Sequence, residues 1–242
     1  MARPERGRLR AALLDVGGTL WPERLAAIQG RDELLIGQLC RRLPDLSREQ
    51  AVRLLAEFDV CLTWRTGEHT QDTDAAVKNC AAQVGLDLSG EEATLARKAL
   101  CVPVFGYVHM FAGATDLLRA IKAHRLRSVV ISNGVTRDAA AYLEDFKALG
   151  LAPYIDTVIS SVDLGFLKPH PAIFEAALHA AKCRPEQCVM IGNSETNDIA
   201  PAHALEMRTI RVCIEQPPDA ESTADAVVTS LAEVPDILEA WT

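Results

Sequence analysis

Residues Ala11-Ala12-Leu13-Leu14-Asp15-Val16-Gly17-Gly18-Thr19-Leu20-Trp21 decide how the rest of the chain is read. Four apolar residues run into one carboxylate and then into Gly-Gly, which reads as a buried parallel strand breaking into a tight loop. Glycines let the backbone take positive φ and let a ligand approach the main chain closely. A carboxylate at the carboxyl end of a central strand sits where open α/β sheets bind ligands. Alone, Asp15 reads better as a turn residue or helix N-cap. The segments that follow decide between these roles.

Working outward, the chain changes character twice. From Pro22 to about Val104 it is helical in pattern and rich in Ala, Leu, Arg and Glu, with no strand-like alternation. Helices are expected over Arg24 to Leu43, Ser47 to Trp64, Asp72 to Val84 and Ser89 to Cys101. The second begins Ser47-Arg48-Glu49-Gln50, a capping-box pattern. From Gly113 the rhythm becomes βα. Strands are expected at 126–131, 157–160, 188–191, 209–212 and 226–228, and helices at 114–124, 138–149, 171–182, 198–206 and 230–241. Strands alternating with helices imply an α/β fold with a doubly wound parallel sheet. The block before them reads as an inserted helical bundle.

At 242 residues and 49% hydrophobic content, the chain is long enough for one large domain or a domain with an insertion. The net charge of −8 and pI near 5.3 argue against a nucleic-acid or anionic-membrane surface. No apolar run approaches the roughly 18 residues of a membrane span. The basic start, Met1 to Arg8, lacks a signal-peptide pattern and reads as a solvated tail. Seven cysteines, none in a CxxC pair, point to small core residues in a reducing, cytoplasmic setting.

Four polar clusters fall at or just beyond strand ends: Asp15 to Thr19, Ser132-Asn133-Gly134, Lys168-Pro169, and Gly192-Asn193-Ser194 through Asn197-Asp198. In a parallel sheet these ends share one edge, so the clusters can converge. Their order and spacing resemble the four motifs of the haloacid dehalogenase (HAD)-like hydrolases, over essentially the whole chain. The resemblance implies a Rossmann-like core at 1–21 and 105–242 with an all-α cap at 22–104. It also implies Asp15 as nucleophile forming a covalent aspartyl intermediate. Thr19, Ser132, Asn133, Lys168 and Asp198 would complete the catalytic set. Ser132 would hold oxygens of the transferred group. Lys168 would keep Asp15 ionised, and Asp198 would orient Lys168 or bind a metal. Expected substrate contacts are Gly18, Gly134, Trp21, Trp64 and Arg65. A Mg²⁺ ion would involve Asp15, Gly17, Asn193 and Asp198.

Two positions depart from the pattern of the family's phosphatases. They carry a second Asp two residues after the nucleophile, where this chain has Gly17, which can neither donate nor accept a proton. They usually carry Asp where this chain has Asn193. Mg²⁺ binding is therefore expected to be weak or absent, with Glu195 a possible replacement ligand. Dehalogenases of the family share both neutral positions but place a Tyr six residues after the lysine, where this chain has Phe174. Arg41, Arg42 and Arg65 are candidates for the arginine that clamps their substrate's carboxylate, and His69 and His109 are undecided. Three functions stay open: a phosphatase-type hydrolase of a small phosphorylated metabolite, a metal-independent 2-haloacid dehalogenase type, and a non-catalytic ligand- or partner-binding relative. The expected partner is a small molecule, without nucleic acid or membrane, for a monomer or homodimer.

Overall fold

The computed structural model describes residues 7–22, 29–61, 65–215 and 222–242. Six strands form one parallel sheet in the order β5-β4-β1-β6-β7-β8. They are β1 (Ala11–Leu14), β4 (Arg127–Ser132), β5 (Thr157–Ser160), β6 (Cys188–Gly192), β7 (Arg208–Val212) and β8 (Ala226–Val228). Strand β1 lies between β4 and β6, so its carboxyl end opens at the middle of the sheet.

Both faces of β1 are covered, which is why Ala11 to Leu14 carry no polar residue. Strand side chains alternate between faces. Ala12 and Leu14 join an apolar cluster under the helices α5 (Ala114–Ala123), α6 (Ala139–Ala148) and α10 (Val234–Trp241). Ala11 and Leu13 join a second cluster on the other face, with Ile173, Phe174 and Ala177 of α8 (Pro171–Ala181) and Ala202 of α9 (Ala200–Ala204). One short helix, α7 (Ser161–Leu164), follows β5 directly.

The segment between β1 and α5 carries its own apolar cluster. It is built from α1 (Arg31–Arg42), α2 (Arg48–Val60), α3 (Thr73–Gln83) and α4 (Gly90–Ala99), with Leu35, Leu39, Leu54, Val77 and Ala96 at its centre. Helix α2 starts as expected: Ser47 Oγ accepts from the Gln50 N–H, and Gln50 Oε1 accepts from the Ser47 N–H. Ser89 and Glu92 make the same reciprocal pair at α4. The expected first helix is shorter than drawn from sequence. Gly30 enters α1 with φ of 75°, a turn that ends any helix running in from upstream; the expected positions 24–28 lie outside the described residues.

The expectation of an all-helical insertion fails at one place. Strands β2 (Arg65–Gly67) and β3 (Thr70–Gln71) form a small antiparallel hairpin. It is stitched to the loop ahead of Lys168: the Leu167 N–H donates to the His69 carbonyl and the Gln71 N–H to the Gly165 carbonyl. Pairing with a loop outside the insertion gives this segment its extended shape. A run of three and two residues carries too little alternation to announce itself.

The helical insertion also grips the loop after β4. Arg97 of α4 is buried, and its guanidinium pairs with Asp74 at 2.5 Å and Asp138 at 3.2 Å and donates to the Thr136 carbonyl at 2.8 Å. Asp138 in turn caps α6 through the Ala141 N–H. Among the described residues no helix is long and apolar enough to cross a membrane.

Asp74 is partly exposed, but Asp138 is buried, and removing Arg97 leaves that carboxylate desolvated without its cation. Arg97→Ala should therefore cost about 3 kcal/mol of stability. Urea unfolding monitored by circular dichroism checks this. A loss below about 1 kcal/mol, the value of an exposed pair, would show that the cluster does not hold the insertion to the sheet.

Candidate active site

Asp15 stands one residue past β1, with its N–H on the Ile191 carbonyl of β6. The chain then turns around the Val16 carbonyl, which accepts from the Thr19, Leu20 and Trp21 N–H groups. Gly18 holds φ of 75°, and a Cβ there would lie 2.2 Å from Asn193 Nδ2. The positive φ favours glycine, and a side chain there would also push the Asn193 amide aside. The turn brings Thr19 back so that its hydroxyl donates to Asp15 Oδ2 at 2.8 Å.

Lys168 joins two buried carboxylates. Its ammonium lies 2.6 Å from Asp15 Oδ1 and 2.6 Å from Asp198 Oδ1. All three side chains are at least nine-tenths buried. Burial alone works against the charged ammonium, but Asp15 and Asp198 outweigh it, and the Lys168 pKa is raised. Asp198 is pushed up to about 6 by burial and by the like charge of Asp15, against the pull of Lys168 and of the Ser194 N–H on Oδ2.

The loop after β4 is committed more fully than its sequence suggests. Asn133 does not reach into open space. Its Nδ2 donates to the Lys168 carbonyl at 2.9 Å and its Oδ1 accepts from the Lys168 N–H at 2.7 Å. Asn133 thus fixes the main chain that carries Lys168. Gly134 donates its N–H to Ser161 Oγ, and its carbonyl accepts from Gln71 Nε2 of the hairpin. Ser132 faces the same cavity as Asp15, and its hydroxyl lies 2.7 Å from the Tyr142 hydroxyl.

Gly192 ends β6 where the Asp198 carboxyl packs at 2.6 Å from the position a Cβ would take. Residues Glu195–Ile199 form one widened helical turn that returns Asp198 to Lys168. Glu195 does not reach towards the carboxylates as a substitute ligand. Its oxygens accept from Ser222 Oγ, from the Thr223 N–H and hydroxyl, and from Arg211.

Asp15, Gly17, Asn193 and Asp198 line one cavity. No group of three or more Asp, Glu, His or Cys suited to a metal occurs among the described residues. Each carboxylate oxygen of Asp15 and Asp198 accepts a hydrogen bond and keeps a second lone-pair site. This donor set fits a hard ion that keeps several waters and takes one or two carboxylates, as Mg²⁺ does.

The cavity has a volume of about 550 Å³. The helical insertion contributes Arg31 and Phe58, and the chain returning from it contributes Leu100 and Val102. Trp21 lines it as expected; Arg65 is exposed on β2 and does not, and Trp64 lies outside the described residues. Arg41 and Arg42 are exposed away from it, as is His109, and His69 sits in the hairpin turn. The arginine of the insertion that does line the cavity is Arg31, paired with Asp59 at 2.6 Å. Arg137 and Tyr142 also line it and were not singled out from sequence. Tyr142 and Phe146 lie four apart on the buried face of α6, so periodicity reads Tyr142 as core.

A model of the family described as haloacid dehalogenase-like hydrolase matches residues 9–205. The chain is 29% identical over 208 residues to a glyceraldehyde 3-phosphate phosphatase of Methanothermobacter thermautotrophicus, covering 84% of this chain and 85% of that protein. Among solved structures, a 2-haloacid dehalogenase from Pseudomonas syringae pv. Tomato superposes with a TM-score of 0.65 at 28% identity, covering 97% of this chain and all of the other. An HAD phosphatase from Thermococcus onnurineus superposes at 0.61 with 21% identity, over 95% of this chain and 98% of that one, a likeness of fold.

A raised carboxylate pKa means that the folded state holds its proton to higher pH than the unfolded state does. Its contribution to stability falls as pH rises from the ordinary carboxylate range near 4 through the Asp198 value of about 6. Without Lys168 that window extends upward, because nothing offsets the two buried charges. Lys168→Met should lose about 3 kcal/mol at pH 8 and recover part of it at pH 5. Urea unfolding at both pH values is the measurement, and a deficit that grows on acidification would contradict the assignment.

Proposed function

Because the chain belongs to the haloacid dehalogenase-like hydrolase family, we propose that it hydrolyses phosphate monoesters of small metabolites through a covalent intermediate on Asp15. The observation that carries this reading is Asp15 itself: a carboxylate at the cavity, with Lys168 on one oxygen and Thr19 on the other. A cavity of about 550 Å³ suits a small ligand. The relative named glyceraldehyde 3-phosphate phosphatase, matched over most of both chains, supports phosphate esters as the substrate class. In this reading residues 22–104 form the cap over the substrate and residues 1–21 and 105–242 the core.

The Asp15 carboxylate attacks phosphorus, and the bond from phosphorus to the ester oxygen breaks. Lys168 balances the charge gathered between Asp15 and the phosphoryl oxygens, and Asp198 holds Lys168 in place. Ser132 donates to a phosphoryl oxygen. The departing alkoxide takes its proton from water, because Gly17 has none to give. A second water then attacks the aspartyl phosphate, releasing inorganic phosphate and restoring the carboxylate. Where Mg²⁺ is bound, Asp15, the Gly17 carbonyl and Asp198 would hold it beside Asn193, and it supplies positive charge to the phosphoryl oxygens. Without an acid–base side chain at position 17, turnover should run roughly 10²–10⁴-fold below that of a site that has one.

A second reading, a metal-independent 2-haloacid dehalogenase, draws on Gly17 and Asn193 together and on the Pseudomonas syringae structure. Phe174 weighs against it. It stands where dehalogenases of the family carry a tyrosine, and it is fully buried in the apolar cluster beneath the sheet.

A panel of phosphate esters and 2-haloacids, run with Mg²⁺ and with a chelator, separates the readings. Phosphate-ester hydrolysis that needs Mg²⁺ and disappears in folded Asp15→Asn is the expected result. Haloacid turnover that survives the chelator would replace the phosphatase reading by the dehalogenase one. In calorimetric titration Mg²⁺ should bind weakly, bind tighter with a phosphate analogue present, and gain affinity in Asn193→Asp. Equal affinity in that variant would remove the assignment of position 193 to the metal.

A further inference from the structure

The backbone N–H of Gly134 is bonded to Ser161 and the Asn133 side chain to the main chain of Lys168. One donor that this loop still presents to the cavity is the hydroxyl of Ser132. A hydroxyl has one proton and can turn it towards any acceptor in reach. What fixes that proton decides whether Ser132 is a ready donor or a free rotor.

The partner of Ser132 Oγ is the Tyr142 hydroxyl, at 2.7 Å. Tyr142 is itself held by two further side chains. Trp21 stacks beside it, with ring centroids 6.4 Å apart and planes 22° from parallel. The Arg137 guanidinium lies over its ring, 5.3 Å from the centroid. Arg137 is fixed by Asp145 and by the Val102 carbonyl, and Asp145 accepts the Val104 N–H at 2.8 Å. Burial raises the Tyr142 pKa, against Arg137 and the bond to Ser132, so the phenol keeps its proton. A phenol is a stronger donor than an aliphatic alcohol. Either hydroxyl can donate across this contact; the stronger donor favours donation from the phenol to Ser132 Oγ, which leaves the Ser132 proton to face the cavity.

We propose that Tyr142 is a positioning residue that directs the hydroxyl proton of Ser132 at the transferred group. Its phenol occupies the lone-pair side of Ser132 Oγ and aims the remaining proton where charge gathers. A donor so aimed needs no reorganisation when the reaction occurs. This role rests on the phosphatase reading above.

Tyr142→Phe removes the phenolic oxygen and keeps the ring under Arg137. With a phosphate ester, kcat should fall about tenfold, less than the roughly 10²–10³-fold typical of losing a direct donor, while KM rises by no more than about fivefold. Ser132→Ala should lose the larger factor, and the double variant should match Ser132→Ala, because Tyr142 then has nothing to aim. An unchanged kcat in folded Tyr142→Phe, or single effects that multiply in the double variant, would overturn the proposal. A wild-type chain without phosphate-ester activity would instead sink the phosphatase reading. The test of Tyr142 then moves to calorimetry with inorganic phosphate, where Tyr142→Phe should weaken binding about fivefold. Equal binding by the two proteins, or none by either, would overturn the proposal. The same calorimetry decides the matter if Tyr142→Phe is too unstable to assay, using Arg137→Met, which frees the Tyr142 ring from its cation; phosphate binding unchanged in that variant would count against Tyr142 as well.

Discussion

A single ammonium between two buried carboxylates organises this molecule. Lys168 touches Asp15 at the end of β1 and Asp198 in the turn after β6, each at 2.6 Å. The three positions are 153 and 30 residues apart. Two carboxylates at this depth repel each other and lose hydration, so without the cation one of them would hold a proton. Several features of the surrounding chain serve that contact. Asn133 clamps the main chain of Lys168 at both its N–H and its carbonyl. Gly192 leaves the space that the Asp198 carboxyl fills. The widened turn over Glu195–Ile199 returns Asp198 to the sheet edge.

The loop after β4 is the second point of convergence. Between Gly134 and Asp138 it accepts bonds from Gln71 and Arg97, and it donates to the Leu100 and Val102 carbonyls of the chain returning out of the helical insertion. Ser132 stands at the root of this loop and Tyr142 in the first turn of α6 beyond it. The polar lining of the cavity is therefore fixed in part by side chains outside it, among them Gln71, Arg97 and Asp145. That arrangement is typical of sites in which donors are aimed before a ligand arrives.

Much of this was legible in the sequence because certain positions admit few residue types. A carboxylate after a short apolar run, a glycine where the chain must turn, a lysine before a proline: each carries chemistry that periodicity cannot explain. The Ser47-to-Gln50 capping box was equally readable, because it is local. What stayed hidden depends on distant partners. Tyr142 looks like the apolar face of a helix until Ser132 is placed beside it. Glu195 looks free to turn inward until Ser222 and Thr223, 27 and 28 residues away, are seen to hold it. The β2–β3 hairpin is extended because a loop nearly a hundred residues later pairs with it. Arg31 lines the cavity because the turn at Gly30 starts its helix there.

That hairpin bears on how modular the chain is. The insertion is bounded by two sequence junctions, which suggests a cassette exchangeable between relatives. Yet His69 and Gln71 supply main-chain partners for the segment leading to Lys168, and the Gln71 side chain holds the Gly134 carbonyl. A chimera cut at the two junctions would import a foreign helical layer and strip those partners from both loops. Residues 134 and 165–167 would face a surface that had not evolved to complement them. Exchanging the insertion between such proteins therefore means moving the hairpin's docking residues with the helices, a graft of three separate stretches of chain in place of one.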